Sequence, residues 1–311
     1  MRRTTRIHLH RVLVCGFAVL GSACGGGSSN PDAAPAAPEA GGSQEAAGPP
    51  PPYCTSKSAL AGVTNLSGIW VARATGAVVV NAPIVGVMRN QTQFTMLLTI
   101  VQQETALTAD GRYCDRFQVN PPNAIAPVVI PNAWAHTETP VHRTGKFEVG
   151  TDGFPVLSID LMSEEIGWVL GTPPNSLPTV ATDNRVIDQD NDGNPGITIA
   201  LSGQALAGTI YSVQAQTTAI TAIVVAANRV EGALAYTTQQ NVLGSDPLSL
   251  AQTYAKGSSG ADPILCNSGF VMVRVAETSA VDGGAVDGGQ AVDGGAINCD
   301  WVRANEAALF P

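Results

Sequence analysis

Apolar and polar residues alternate at period two along much of the chain between Cys54 and Pro311. Leu157, Ile159 and Leu161 alternate with Ser158 and Asp160, and Ile197, Ile199 and Leu201 alternate with Thr198 and Ala200. Tyr211, Val213 and Ala215 alternate with Ser212, Gln214 and Gln216, and Val271, Val273 and Val275 flank Met272 and Arg274. Neighbouring side chains of a strand point to opposite faces, so each stretch predicts a half-buried strand. Apolar and β-branched runs predict further strands at 68–73, 94–103, 113–119, 219–227 and 232–239. Clusters of Gly, Asn, Asp and Pro separate these runs and supply the turns. The gaps between 197 and 239 are short, which predicts an antiparallel meander. Many antiparallel strands with one apolar face close into a barrel, or alternatively stack as a two-sheet sandwich. The expected fold is therefore all-β, with one or two short helices. One helix is expected over 246–257, where Asp246 caps, Pro247 takes the first position, Leu250 and Tyr254 lie four apart and Lys256-Gly257 closes. A second is expected at 305–309.

The N-terminus breaks this pattern. Arg2, Arg3, Arg6 and Arg11 precede an apolar run from Val12 to Leu20, and small residues then lead to Cys24. A basic segment, a short apolar core and a small-residue boundary make an export signal. The core is too short to cross a bilayer as a permanent helix, which needs roughly 20 residues. Leu20-Gly21-Ser22-Ala23-Cys24 resembles the lipobox of bacterial lipoproteins, in which the cysteine is lipidated and becomes the first residue of the mature chain. The resemblance implies residues 1–23 as signal peptide, a lipid on Cys24 and anchoring to a membrane. Gly21 stands where the family usually has an aliphatic residue, and cleavage after Ala23 by an ordinary signal peptidase is the alternative. Residues 25–52 are almost all Gly, Ser, Ala and Pro, a composition expected to form a disordered tether spanning about 30 Å. Gly25 after the cysteine, rather than Asp, resembles the family's pattern for sorting to the outer membrane. The remainder, 53–311, is expected to be a single β-rich domain.

Charge and cysteines narrow the picture. Without the signal, 12 basic residues face 25 acidic ones, a formal net charge of −13. That balance argues against nucleic acid as a partner and against adhesion to an anionic bilayer by charge alone. Four cysteines remain beside Cys15 and Cys24: Cys54, Cys114, Cys266 and Cys299. An even number in an exported protein predicts two disulfides with three possible pairings. The expected pairs are Cys266–Cys299, closing the base of the low-complexity stretch 280–296, and Cys54–Cys114. No CxxC is present, so thiol redox chemistry is not expected. The stretch 280–296 repeats AVDGG three times and is expected to be a solvated loop; Asp282, Asp287 and Asp293 lack the GGxGxD pattern of calcium-binding repeats.

The sharpest candidate for chemistry is Asp188-Gln189-Asp190-Asn191-Asp192-Gly193-Asn194-Pro195-Gly196. Asp at alternate positions before a Gly gathers carboxylates around one turn, which suits a hard cation. The segment resembles the DxDxDG calcium loops of EF-hands, dockerins and thrombospondin-type repeats. That resemblance implies Ca²⁺ at Asp188, Asp190 and Asp192 with Asn194 nearby. Position twelve, a bidentate Glu in an EF-hand, is Ile199, and a strand rather than a helix follows. The alternative is an acidic turn without metal. A second motif, Asn65-Leu66-Ser67-Gly68-Ile69-Trp70, resembles the first lipocalin motif, in which Gly-x-Trp opens the first barrel strand and the Trp plugs the closed end. It implies a barrel able to hold a small apolar ligand. The alternative is an ordinary buried Trp at a strand start.

Catalytic patterns are weak. His136 and His142 lie in a Pro-containing stretch expected to be a loop, at no recognised metal spacing. No GxSxG, P-loop or dinucleotide-binding glycine pattern occurs. Glu164 and Glu165 are adjacent on an expected strand and point to opposite faces, which is no acid–base pair. The sequence thus predicts a non-enzymatic, lipid-anchored protein of the cell envelope that binds a small apolar ligand. The alternative is a structural or adhesive lipoprotein stiffened by calcium and disulfides.

Overall fold

A single antiparallel ladder organises the chain. The computed structural model describes residues 54–311 apart from 83–85, 121–123, 125–126, 151–152, 171–175, 204–206, 250–257, 277–290 and 293–294. Eight long strands form a closed ring: β1 (Gly68–Ala82), β2 (Gly86–Gln103), β3 (Ala106–Val119), β5 (Pro140–Val149), β6 (Pro155–Ile166), β8 (Ala207–Ala226), β9 (Arg229–Asp246) and β11 (Gly269–Ala276). Each pairs antiparallel with the next, β11 returns to β1, and β9 closes on β8. The expected all-β antiparallel meander is therefore present, and the closed ladder makes it barrel-like. Closure pairs the edges that an open sheet would expose.

Short strands extend the ring. β7 (Ile197–Ser202) pairs with β8 beyond the end of β6, and β4 (Val128–Val129) pairs with β7. β10 (Ser258–Ala261) pairs with β1 beyond the reach of β11. A separate hairpin joins β12 (Ala291–Val292) to β13 (Gly295–Ala296). The end of the low-complexity stretch is thus paired rather than an open loop, and Asp282, Asp287 and Asp293 lie outside the described residues.

The interior is apolar at one end. Trp70, Leu98, Ile100, Leu107, Val141 and Leu157 all lie in the main buried cluster. The Trp70 indole N–H donates to Leu66 O at 2.7 Å, and the Arg274 guanidinium lies over its ring at 4.8 Å. Further along, the Tyr236 ring fills the space above Gly76: a Cβ there would sit 2.7 Å from the ring, so only glycine allows this approach.

Two bulges re-aim side chains. A register shift between Ile159 and Met162 turns Leu161 outward, where it is 72 % exposed, and brings Glu164 into the ring. The expected inward face of β6 therefore holds for Leu157 and Ile159 but not for Leu161, because a bulge adds a residue and flips the parity. β3 shifts register opposite Thr95 and Met96, so Tyr113 and Arg116 are both buried.

The C-terminal helix α2 (Cys299–Leu309) is longer than the five residues expected, because Asn298 caps it by accepting from Trp301 N. It packs on the outer face of the ring through Cys299, Val302 and Phe310 against Val71, Cys114 and Val273. The helix expected over 246–257 falls mostly outside the described residues, and Asp246 itself is the last residue of β9. Among the described residues no helix is long and apolar enough to cross a membrane.

The disulfides differ from the expected pairs. Cys54 joins Cys266 and Cys114 joins Cys299, each with Cα atoms 5.0 Å apart. The first ties the segment before β1 to the 3-10 turn Leu265–Asn267, and the second ties the start of α2 to β3. Barrel closure decides which cysteines meet, and separations of 212 and 185 residues carry no trace of it in the sequence.

Candidate functional site: a cavity at one end of the ring and an acidic loop

The interior changes character along the strands. In β8, Ile220, Ala222 and Val224 belong to the apolar cluster, and Gln214 and Gln216 continue the same face. In β2, Phe94, Met96 and Leu98 are followed towards the strand start by Thr92 and Asn90. In β9, Leu234 and Tyr236 give way to Thr238 and Gln240. Gln118 of β3 faces the same space. Side chains of one parity share one face, so these amides line the inside of the ring at the end away from Trp70. They surround a cavity of about 110 Å³.

The opposite wall is aliphatic and aromatic. Ile199 and Leu201 of β7, Ile210 of β8 and Ile166 of β6 form it together with Val128 and Trp134. Trp134 sits on the one-turn helix α1 (Asn132–Ala135), in the connection between β3 and β5. Hydrogen bonds from a side chain and from the backbone hold that connection in place. The Asn120 carboxamide donates to Val128 O at 2.7 Å and accepts from Val128 N at 2.8 Å, and Ser202 N donates to Pro127 O at 3.0 Å. The Trp134 indole N–H is buried and meets no acceptor among the described residues.

Beneath the amides lies a buried polar belt. The Tyr113 hydroxyl donates to Glu164 Oε1 at 2.5 Å, and Arg143 donates to the Tyr113 oxygen at 3.1 Å and to Thr218 Oγ1 at 2.7 Å. Gln216 Nε2 donates to the second Glu164 oxygen. Burial, then the neighbouring Glu164 charge, pushes the Tyr113 phenol up, so it stays a donor. The Arg116 guanidinium packs over Tyr113 at 4.8 Å and over Trp134 at 5.5 Å, and it donates to Trp134 O and Thr139 Oγ1. Burial lowers its pKa. Glu164 thus joins a buried network and is not half of a carboxylate pair.

The acidic loop leads directly into β7, whose Ile199 and Leu201 line the cavity. One carboxylate oxygen from each of Asp188, Asp190 and Asp192 lies within 4.8 Å of the others, so the structure brings the three expected residues together. The loop is also closed on itself. Asp188 accepts from Asp192 N and Gly193 N, Asp192 accepts from Asn194 N and from the Thr198 hydroxyl, and Asp190 Oδ2 accepts from Thr198 N. Asn194 thus contributes a backbone donor to Asp192. Gly193 and Gly196 take φ of +87° and +86°, which the turn requires. The Oδ1 atom of Asp190 is buried without a partner among the described residues. Burial raises the Asp190 pKa, whereas at Asp192 the hydrogen bonds from Thr198 and Asn194 outweigh burial and lower it.

The histidines do not converge. His142 lies on β5, not in a loop, and its Nδ1 is 2.5 Å from Asp110 Oδ1 of β3, directly across the ladder. His136 follows α1 with Nε2 3.8 Å from Asp115 Oδ1. Cys24 lies outside the described residues. No family model, no curated protein and no solved structure matches the chain.

Proposed function

We propose that this chain is an exported lipoprotein, held at the outer membrane by a lipid on Cys24, whose ring of strands binds a small molecule. The observation that carries the binding reading is the cavity: a closed antiparallel ring with an apolar, plugged end and a lined space at the other. The lipocalin-like reading of Gly68-Ile69-Trp70 draws support from Trp70, which opens β1 fully buried at the end opposite the cavity. The aliphatic wall supports a ligand with an apolar face. Lipid anchoring rests on the sequence around Cys24 and on the tether composition. Native mass spectrometry of the purified protein tests the binding claim, since a co-purifying small molecule is expected. Cys24→Ser tests the anchor, since the variant is expected in the soluble fraction of lysed cells; a variant that stays with the membranes refutes the lipid attachment.

One observation favours a second reading, in which Ca²⁺ stiffens a structural or adhesive lipoprotein. A buried carboxylate oxygen without a donor is costly, and Asp190 Oδ1 is such an atom inside the DxDxDG turn. A cation ligated there would satisfy it. At 100 times its Kd, Ca²⁺ would stabilise the fold by about 2.7 kcal/mol. The expected result is a higher Tm in calcium than in EDTA, abolished by Asp190→Asn; identical melting curves reject this reading.

A further inference from the structure

The acidic turn is fastened to two segments of the cavity wall. On the β7 side, Asp190 Oδ2 accepts from Thr198 N at 2.9 Å, and Asp192 accepts from the Thr198 hydroxyl. Thr198 sits between Ile197 and Ile199, and Ile199 and Leu201 line the cavity. On the β6 side, Gly167 N donates to Gln189 Oε1 at 2.6 Å, and Ile187 N donates to Gly167 O at 3.0 Å. Gly167 directly follows Ile166, which lines the same cavity.

The bond to Thr198 stands in for strand pairing. β8 covers one edge of β7 from Ile197 to Ser202. The other edge meets β4 at Ala200 and Leu201, and at Thr198 it meets the Asp190 carboxylate instead. The order of this part of the wall therefore depends on where Asp190 sits.

That carboxylate is crowded by like charge. One oxygen from each of Asp188, Asp190 and Asp192 lies within 4.8 Å of the others. Among the described residues no Lys or Arg forms an ion pair with any of the three. Like charges this close repel, and the repulsion works to spread the turn. Asp190 is 6 % exposed and its Oδ1 meets no donor among the described residues, whereas Asp188 and Asp192 are exposed and give an ion access. An ionised carboxylate offers about four lone-pair sites, so the hydrogen bonds within the turn leave room for a cation on all three. A hard divalent cation offsets the repulsion and uses the free oxygen.

We propose that a divalent cation at Asp188, Asp190 and Asp192 is a clamp on the cavity wall, holding β7 and the end of β6 in place. The proposal rests on the calcium reading above and adds what the ion controls. With the ion, Asp190 stays on Thr198, and Ile199 and Leu201 stay in the wall. Without it, the carboxylates move apart, Thr198 N loses its acceptor, and β7 opens from that edge while the ring stays folded. The ion and any molecule in the cavity are then linked reciprocally.

The Thr198 amide reports on the clamp directly, because Asp190 is its acceptor. Binding of Ca²⁺ alone to the metal-free protein is measured by equilibrium dialysis. Amide hydrogen exchange is then followed by NMR at Thr198, Ile199 and Leu201, with Leu98 in the middle of β2 reporting global unfolding. Without metal, the three β7 amides are expected to exchange at least about tenfold faster than Leu98, the mark of local opening. At free Ca²⁺ 100 times its Kd they are expected to slow about a hundredfold, because the ion lowers the open population by that ratio. Asp188 makes neither bond to Thr198, so Asp188→Asn removes a ligand without cutting the link, and it is expected to abolish both calcium binding and the slowing. Exchange at β7 as slow as at Leu98 without metal, or fast and indifferent to bound Ca²⁺, overturns the clamp while leaving the calcium site in place. Slowing at Thr198 alone does the same, since the ion then holds the turn and not the wall. An absence of calcium binding, or a calcium effect that persists in Asp188→Asn, overturns both the clamp and the calcium reading beneath it. The comparison with and without Ca²⁺ uses the unaltered protein, so it decides the matter even if the variant does not fold.

Discussion

Replacing Glu231 with Gln removes a carboxylate on which three donors converge. Thr55 Oγ1 donates to it at 2.7 Å, Lys57 Nζ at 2.5 Å and Arg229 Nε at 2.6 Å. Glu231 lies on β9, whereas Thr55 and Lys57 belong to the segment just after Cys54, so this cluster fastens the incoming chain to the ring. Burial by itself would raise the Glu231 pKa, but the bonds from Lys57, Arg229 and Thr55 outweigh it and hold the group at about 2, against an ordinary 4.5. A folded pKa below the unfolded one means that the stabilisation is fully present above pH 4.5 and is lost as pH falls towards 2. The side chain of Glu231 is 11 % exposed but that of Lys57 is 50 % exposed, so solvent screens part of the interaction. A contribution of about 1–3 kcal/mol follows at neutral pH. For a domain of this size that is a fall in Tm of about 2–6 °C in Glu231→Gln. Thermal melts of both proteins at steps from pH 7 to pH 2 provide the check. The gap in Tm is expected to hold down to about pH 5, narrow below it and close near pH 2. A gap of constant size at every pH would show that the substituted amide merely packs badly, and no gap at all would show that the cluster contributes nothing; either result refutes the electrostatic reasoning.

Peptide mapping without reductant is expected to recover Cys54 linked to Cys266 and Cys114 linked to Cys299. Replacing both Cys114 and Cys299 with Ser is expected to cost about 2–5 kcal/mol in denaturant unfolding, because the link spans a long loop and fastens α2 to the ring. Trp70→Phe leaves the Leu66 carbonyl without its donor and opens space in a fully buried site, so a loss of about 2–4 kcal/mol is expected from the same measurement.

Much of the fold is legible in local pattern. The strands containing Leu157, Ile197 and Val271 show period-two alternation, and all of them form. β5 is the instructive omission. Its inward residues Val141, Arg143, Gly145 and Phe147 do not read as an apolar face. Arg143 is nevertheless buried, because Tyr113 and Thr218 accept from it. Gly145 is needed because a Cβ there would lie 2.3 Å from Ser158 O. A buried charge and a missing side chain both erase the signal that periodicity depends on.

The cavity was hidden for a related reason. In isolation, Gln214 and Gln216 look like the solvent face of a strand whose apolar side is Tyr211, Val213 and Ala215. β8 is in fact one strand of 20 residues, and Gln214 and Gln216 share their parity with Ile220, Ala222 and Val224. Following one face along the whole strand would have put the amides inside. Nothing local marks Trp134, which reaches the cavity from a one-turn helix in a connection between strands.

The sequence by itself determined most of the strands, their antiparallel order from 197 to 239 and the acidic turn, because each depends on residues a few positions apart. It also carries everything that points to export and to a lipid on Cys24. Only the tertiary structure decided that the meander closes, which cysteines meet, that Leu161 faces out while Glu164 faces in, and that five amides and an indole share one space. Those outcomes follow from ring closure and from bulges that reverse parity. They bring together residues far apart in sequence, and no local pattern records them.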